Sequence, residues 1–113
     1  MRDVWSDQSK YAIWFEIEIL AHEAMESIGL IENGLTKKIR DKLKDIIFDE
    51  ARISEIERKT HHDVIAFLTF ISEKIGEKQA RYLHQGMTSS DILDTCLCIQ
   101  LKKASQLIRE DLD

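Results

Sequence analysis

From Ser90 to Asp113 the chain runs for more than twenty residues without glycine or proline, and Leu93, Leu97, Leu101, Ala104, Leu107, Ile108 and Leu112 recur at three- and four-residue steps. That period is the mark of an amphipathic α-helix. Ile92, Cys96 and Ile99 widen the seam, so the helix needs neighbours on more than one side. Four short helices upstream can hardly supply them all. The chain also stops at Asp113 with no glycine, proline or capping residue, so the expectation is a chain cut within a longer helical assembly.

Composition points the same way. There is no proline, only four glycines, 43% hydrophobic and 33% charged residues, which argues for one helical unit. A chain of this size buries about two-thirds of its unfolded surface, enough for a modest core. The net charge of -5, with Lys and Arg scattered among Asp and Glu, argues against nucleic acid or an anionic membrane as main partner. No segment approaches the roughly 20 apolar residues of a membrane span, and Met1 to Asp7 has no apolar core of the secretory kind. A soluble, cytoplasmic protein is expected. Cys96 and Cys98 point about 200° apart on a helix, which makes a mutual disulfide improbable. Both read as buried small apolar groups in a reducing compartment.

Taken in order, Tyr11, Trp14, Ile17, Leu20, Ala21, Ala24, Met25 and Ile28 mark a first helix from Gln8 to Ile28. Ser6 or Asp7 would cap it and Gly29 would close it in the left-handed conformation. His22 and Glu26 on its polar side stand four apart, half of a metal site. With no third ligand at helical spacing they read as a solvated pair. Thr36 opens a second helix with Ile39, Leu43, Ile46 and Ile47 inward and Lys37, Lys38, Arg40, Lys42 and Lys44 on a solvated face. Asp49 caps a third, short helix bearing Ile53 and Ile56. Val64 to Ile75 is apolar over most of its circumference and should be the central helix.

Two polar blocks stand out. Thr60-His61-His62-Asp63 heads the central helix: two imidazoles able to donate or accept near neutral pH, with Asp63 positioned to fix a tautomer. The alternative is that Thr60 caps the helix, Asp63 completes a capping box and the histidines lie at the surface. The second block, His84-Gln85-Gly86-Met87-Thr88-Ser89-Ser90-Asp91, feeds the last helix. Ser89 or Ser90 can cap it, Asp91 and Asp94 complement its dipole, and spare hydroxyls and N–H groups there form a receptor for a carboxylate or phosphate.

Together, Lys-Thr-His-His-Asp-Val-Ile-Ala-Phe (59 to 67) and His-Gln-Gly-Met-Thr-Ser-Ser-Asp-Ile-Leu-Asp-Thr (84 to 95) resemble the first two signature blocks of the adenylosuccinate lyase family, within the fumarase and aspartase superfamily. Trp5-Ser6-Asp7, Tyr11, Trp14, Glu16 and Glu18 are similar to that family's opening helix. The resemblance implies an all-α fold: a small N-terminal helical domain over 1–88 and the truncated first helix of the central bundle over 89–113. It implies elimination of fumarate from adenylosuccinate and from succinyl-carboxamide imidazole ribotide, without cofactor or metal. The partner would be a small nucleotide substrate, in a homotetramer whose active sites are shared between subunits.

Carried over by position, His61, His62 and Asp63 match the substrate-contacting block, with His62 near the succinyl end. Thr88 and Ser89 match the pair that binds a substrate carboxylate, with Ser90 and Asp91 as the cap behind them, and His84 matches a histidine on the nucleotide side. Position 61 carries histidine where relatives often carry arginine or lysine. The family's general-acid histidine and general-base serine would lie downstream of Asp113, and its phosphate-contacting Arg-Tyr pair just before Met1. The expectation is an N-terminal fragment with no catalytic group of its own, inactive alone and prone to self-associate. Two other readings stay open: a non-catalytic helical module that dimerises through its last helix, and another superfamily lyase acting on argininosuccinate or fumarate.

Overall fold

The computed structural model describes all residues, Met1–Asp113, and contains helices and no strands. After a 3-10 turn at Arg2–Trp5 come α1 (Asp7–Ser27), α2 (Leu35–Lys42), α3 (Glu50–Thr60), α4 (Asp63–Ile75), the single turn α5 (Glu77–Ala80) and α6 (Ser89–Leu112). The all-α expectation holds.

The helix ends follow local chemistry. Ser6 caps α1, its Oγ accepting from the N–H of Ser9 at 3.2 Å. Gly29, at φ +83°, ends it: Gly29 N–H donates to Glu26 O and Leu30 N–H to Met25 O, the paired bonds of a Schellman motif. Asp49 caps α3 through the N–H of Arg52 at 3.0 Å.

As expected, α4 is central. Val64, Ala66, Phe67, Phe70, Ile71 and Ile75 are all buried, with Phe67 at the hub of an aromatic group. Its ring stacks on Tyr11 at 5.5 Å and 8°, meets Trp14 edge-on at 5.5 Å and lies 5.8 Å from Phe48. The chain between α2 and α3 is held by Gln8, whose amide accepts from Phe48 N–H at 3.1 Å and donates to Phe48 O. That two-way pairing satisfies a stretch of backbone with no helix to do so. It also corrects the reading of Ile47 as inward. α2 ends at Lys42, the helical period lapses, and Phe48 enters the core while Ile47 stays 80% exposed.

Two other faces differ from expectation. On α6 the stripe that meets the body is Ile92, Cys96, Gln100 and Ala104, at four-residue spacing. The leucine seam points outward: Leu93, Leu97, Leu101, Ile108 and Leu112 are exposed. One side of a wide apolar surface docks and the other has no neighbour. Cys98 therefore faces solvent, and only Cys96 is buried. On α1 Leu20 is exposed, as is Ile28 just past its end, while Glu18 and His22 are buried beside Tyr11 and Trp14.

Because Phe67 is 1% exposed and touches three other rings, truncating it leaves a cavity at the centre of the core. Phe67→Ala should destabilise the fold by about 3–5 kcal/mol in urea unfolding; a loss under 1 kcal/mol would place the core elsewhere.

Candidate functional site

The first polar block sits at a tight corner between two helices. α3 ends at Thr60; His61 takes the left-handed conformation (φ 56°) and donates its N–H to Glu57 O at 2.8 Å. Such a backbone costs a non-glycine residue about 1–2 kcal/mol, and it reverses the chain in two residues so that α4 starts at Asp63. The residue that caps α4 is His62: its Nδ1 accepts the N–H of Ile65 at 3.2 Å. Thr60 does not cap α4, since it closes the preceding helix and its hydroxyl bridges His62 N and O.

This capping bond fixes the imidazole. With its Nδ1 lone pair accepting a backbone N–H, neutral His62 carries its proton on Nε2. That nitrogen lies 2.9 Å from Ser89 Oγ. The His-Asp block and the Thr-Ser block, 27 residues apart at this contact, thus meet through one hydrogen bond, in which His62 donates and Ser89 accepts. The serine keeps its own proton to donate elsewhere. Asp63 does not set the tautomer, as its spacing suggested. Its Oδ1 accepts from Val64 N–H at 2.8 Å and stands 3.8 Å from His62 Nδ1, beyond hydrogen-bond range.

The head of α6 also differs. Thr88 is the N-cap, in a capping box with Asp91, whose Oδ2 accepts Thr88 N–H at 2.8 Å. The cap falls one or two residues earlier than Ser89 or Ser90, which leaves Ser89 free to reach His62. His61 is exposed at its corner. The five larger surface cavities, of about 300 to 480 Å³, are lined by other residues; of the six side chains named from the two blocks, the structure joins His62 and Ser89 directly.

His84 stands in the left-handed conformation (φ 66°) in the loop before α6, and its Nδ1 lies 2.6 Å from Oε1 of Glu18. Glu18 was not foreseen as part of this region. It is 1% exposed, on the core face of α1. Burial pushes its carboxyl above the usual range, and the bond from His84 pulls it back. One sign was readable: Glu18 stands four residues from Trp14 and four from His22, on a stripe that otherwise carries large core side chains.

His22 corrects a further expectation. It is fully buried rather than solvated, with Nδ1 2.6 Å from Thr36 Oγ1, while Glu26 accepts the N–H of Thr36 at 2.9 Å. The pair sews the end of α1 to the start of α2, because the Gly29 turn folds Thr36 back over them. Burial holds the His22 pKa below its ordinary value, with Glu26 partly opposing.

Comparison with known proteins gives the family. A family model described as Lyase matches residues 1–113. The chain belongs to that lyase family. This lyase chain is 43% identical over its 113 residues to adenylosuccinate lyase of Staphylococcus saprophyticus, covering 100% of the chain and 25% of that protein. Against adenylosuccinate lyase of Streptococcus mutans it is 44% identical, again with 100% and 25% covered. It thus spans about a quarter of the length of the curated relatives it matches. Among solved structures, fumarate lyase from Mesorhizobium sp. BNC1 shares the fold, with a TM-score of 0.84 at 24% identity over 95% of this chain and 25% of that one. No helix here is long and apolar enough to cross a membrane.

The buried imidazole gives stability a pH dependence. Folded His22 binds a proton more weakly than in the unfolded chain, where histidine titrates near ~6.5. Its contribution is therefore intact above that pH and lost as pH falls below it toward the folded value. Glu18, shifted upward, acts oppositely as pH falls toward the ordinary carboxyl range, since protonation relieves its burial. Urea midpoints should fall from pH 7 to pH 5.5, and His22→Asn should flatten that slope. Parallel slopes for the two proteins would assign the acid sensitivity to other groups.

Proposed function

We propose that this chain forms one wall of the active site of an adenylosuccinate lyase, which releases fumarate from adenylosuccinate to leave AMP and from succinyl-carboxamide imidazole ribotide to leave its carboxamide. The observation that carries this reading is the His62–Ser89 hydrogen bond, which joins the two blocks that resemble the family's signatures. The 43% and 44% identity to proteins named adenylosuccinate lyase supports it.

The reaction removes a proton beside a carboxylate and protonates the departing nitrogen, so charge builds on the succinyl carboxylate in the transition state. Ser89 Oγ accepts from His62 Nε2–H, and its own O–H is thereby aimed at that carboxylate. Thr88 assists from the N-terminus of α6, where backbone N–H groups and the helix dipole favour an anion. Asp63 steadies the head of α4, His61 lies at the rim, and His84 serves the nucleotide side. The general acid and general base belong to other parts of the protein, with substrate held where subunits of a homotetramer meet. In this reading residues 1–88 are the N-terminal helical domain and 89–113 the first helix of the bundle.

The outward seam of α6 supports the assembly. Leu93, Leu97, Leu101, Ile108 and Leu112 are exposed on one helix, and burying half of that surface would contribute several kcal/mol at about 25 cal/mol per Å².

Given adenylosuccinate, the purified 113-residue chain should release no fumarate, whereas the protein extended to the length of its relatives should. In that longer protein Ser89→Ala should lower kcat/KM about 10²- to 10³-fold, the usual loss for one donor to a developing oxyanion; near-unchanged turnover would remove Ser89 from the site. In sedimentation the 113-residue chain should self-associate, and Leu97→Glu with Leu101→Glu should render it monomeric. A wild-type monomer with α6 fully helical would contradict the exposed-seam reading.

A further inference from the structure

Glu18 and His84 meet across 66 residues of sequence, Oε1 to Nδ1 at 2.6 Å. The two ends of this contact lie in different surroundings. Glu18 is 1% exposed and its Oε2 is buried without a protein partner, so His84 is the one side chain that offsets the desolvation of this carboxylate. His84 is partly exposed, and its Nε2, across the ring from Glu18, has no protein partner and reaches solvent.

An apolar residue would fill the Glu18 position at less cost, because a buried carboxylate is poorly repaid by a single hydrogen bond. What the carboxylate supplies is direction. A carboxylate carries no proton to give, so with Glu18 ionised the Nδ1 nitrogen donates and Glu18 accepts. Neutral imidazole in water favours the proton on Nε2; the contact reverses that preference. A second proton on the ring then sits on Nε2 and points outward, with its charge balanced from behind by a carboxylate that solvent cannot reach.

We propose that Glu18 is a positioning residue, which pins His84 with Nδ1–H toward the core and so directs Nε2, as Nε2–H once the ring takes its second proton, at an anionic group of the substrate. The proposal rests on the reading of His84 as a substrate-side residue. The left-handed backbone at His84 fits it: the loop holds an unfavourable conformation that carries the ring back over α1. His62 is fixed in the opposite tautomer by Ile65 N–H and Ser89. The two imidazoles therefore present different faces, Nε2–H to a hydroxyl at one and free Nε2 at the other.

The test is a two-bond ¹H–¹⁵N correlation of the histidine rings in the 113-residue chain at a pH above the imidazole range. In the wild type, His84 should show a single Nδ1–H form and His62 a single Nε2–H form. In Glu18→Met, His84 should move to averaged shifts dominated by Nε2–H, while His62 stays unchanged and reports an intact fold. If Glu18→Met fails to fold, Glu18→Asp, one methylene shorter, withdraws the carboxylate and is read in the same way. A wild-type His84 protonated on Nε2, or one that keeps Nδ1–H in the variant, overturns the proposal. Because turnover is not the readout, that result would leave the lyase reading intact, whereas an extended protein that releases no fumarate would leave the His84 tautomer standing and remove its substrate role.

Discussion

The ring of His62 ties two ends of the molecule together. Its Nδ1 closes the first turn of α4 through Ile65 N–H, and its Nε2 reaches Ser89 in the first turn of α6. Each bond depends on the other: the capping bond decides which nitrogen carries the proton, and that proton makes the second bond directional. Everything that brings the ring to this place lies behind it. The left-handed His61 turns the chain from α3 to α4, and Phe67 locks α4 against Tyr11 and Trp14 of α1. A shift of α4 by one residue would turn His62 by about 100° and break both contacts.

That dependence explains why capping and function were poor alternatives in the first place. A histidine that only capped a helix would have no use for a second nitrogen aimed at another element. A histidine that only bound a ligand would be free to take either tautomer. Here one ring does both, and the structural bond sets the chemistry of the other. Thr88 shows the same economy from the opposite side, since its capping box with Asp91 fixes the turn on which Ser89 is carried.

Much of the fold was legible from periodicity and caps. Ser6, Gly29, Asp49 and the apolar run of α4 marked their elements because each acts within a few residues of itself. What escaped notice was long-range. Gln8 pairs with the backbone of Phe48, forty residues away, and no local pattern announces it. Helical spacing showed no third ligand beside His22 and Glu26 and so pointed to a solvated pair, whereas the Gly29 turn brings Thr36 over the imidazole and supplies the partner that burial requires. The leucines of α6 misled for a related reason. A wide apolar surface declares that it wants cover, and the sequence does not say which half finds it within the chain.

The site was legible in kind and incomplete in detail. His62, Ser89 and His84 were named from two blocks, yet Glu18 was passed over because it stood on a helix read only for packing. Its neighbours on that stripe argue that α1 is more than scaffold. Trp14, Glu18 and His22 follow one another at four-residue steps, and each carries a buried polar atom without a protein partner: Nε1, Oε2 and Nε2. Buried polar groups are normally satisfied. Two of the three are joined to other elements, Glu18 to the loop before α6 and His22 to α2. α1 thus bears the polar connections that orient the surrounding segments, and the aromatic packing at its N-terminal half provides the rigidity those connections need.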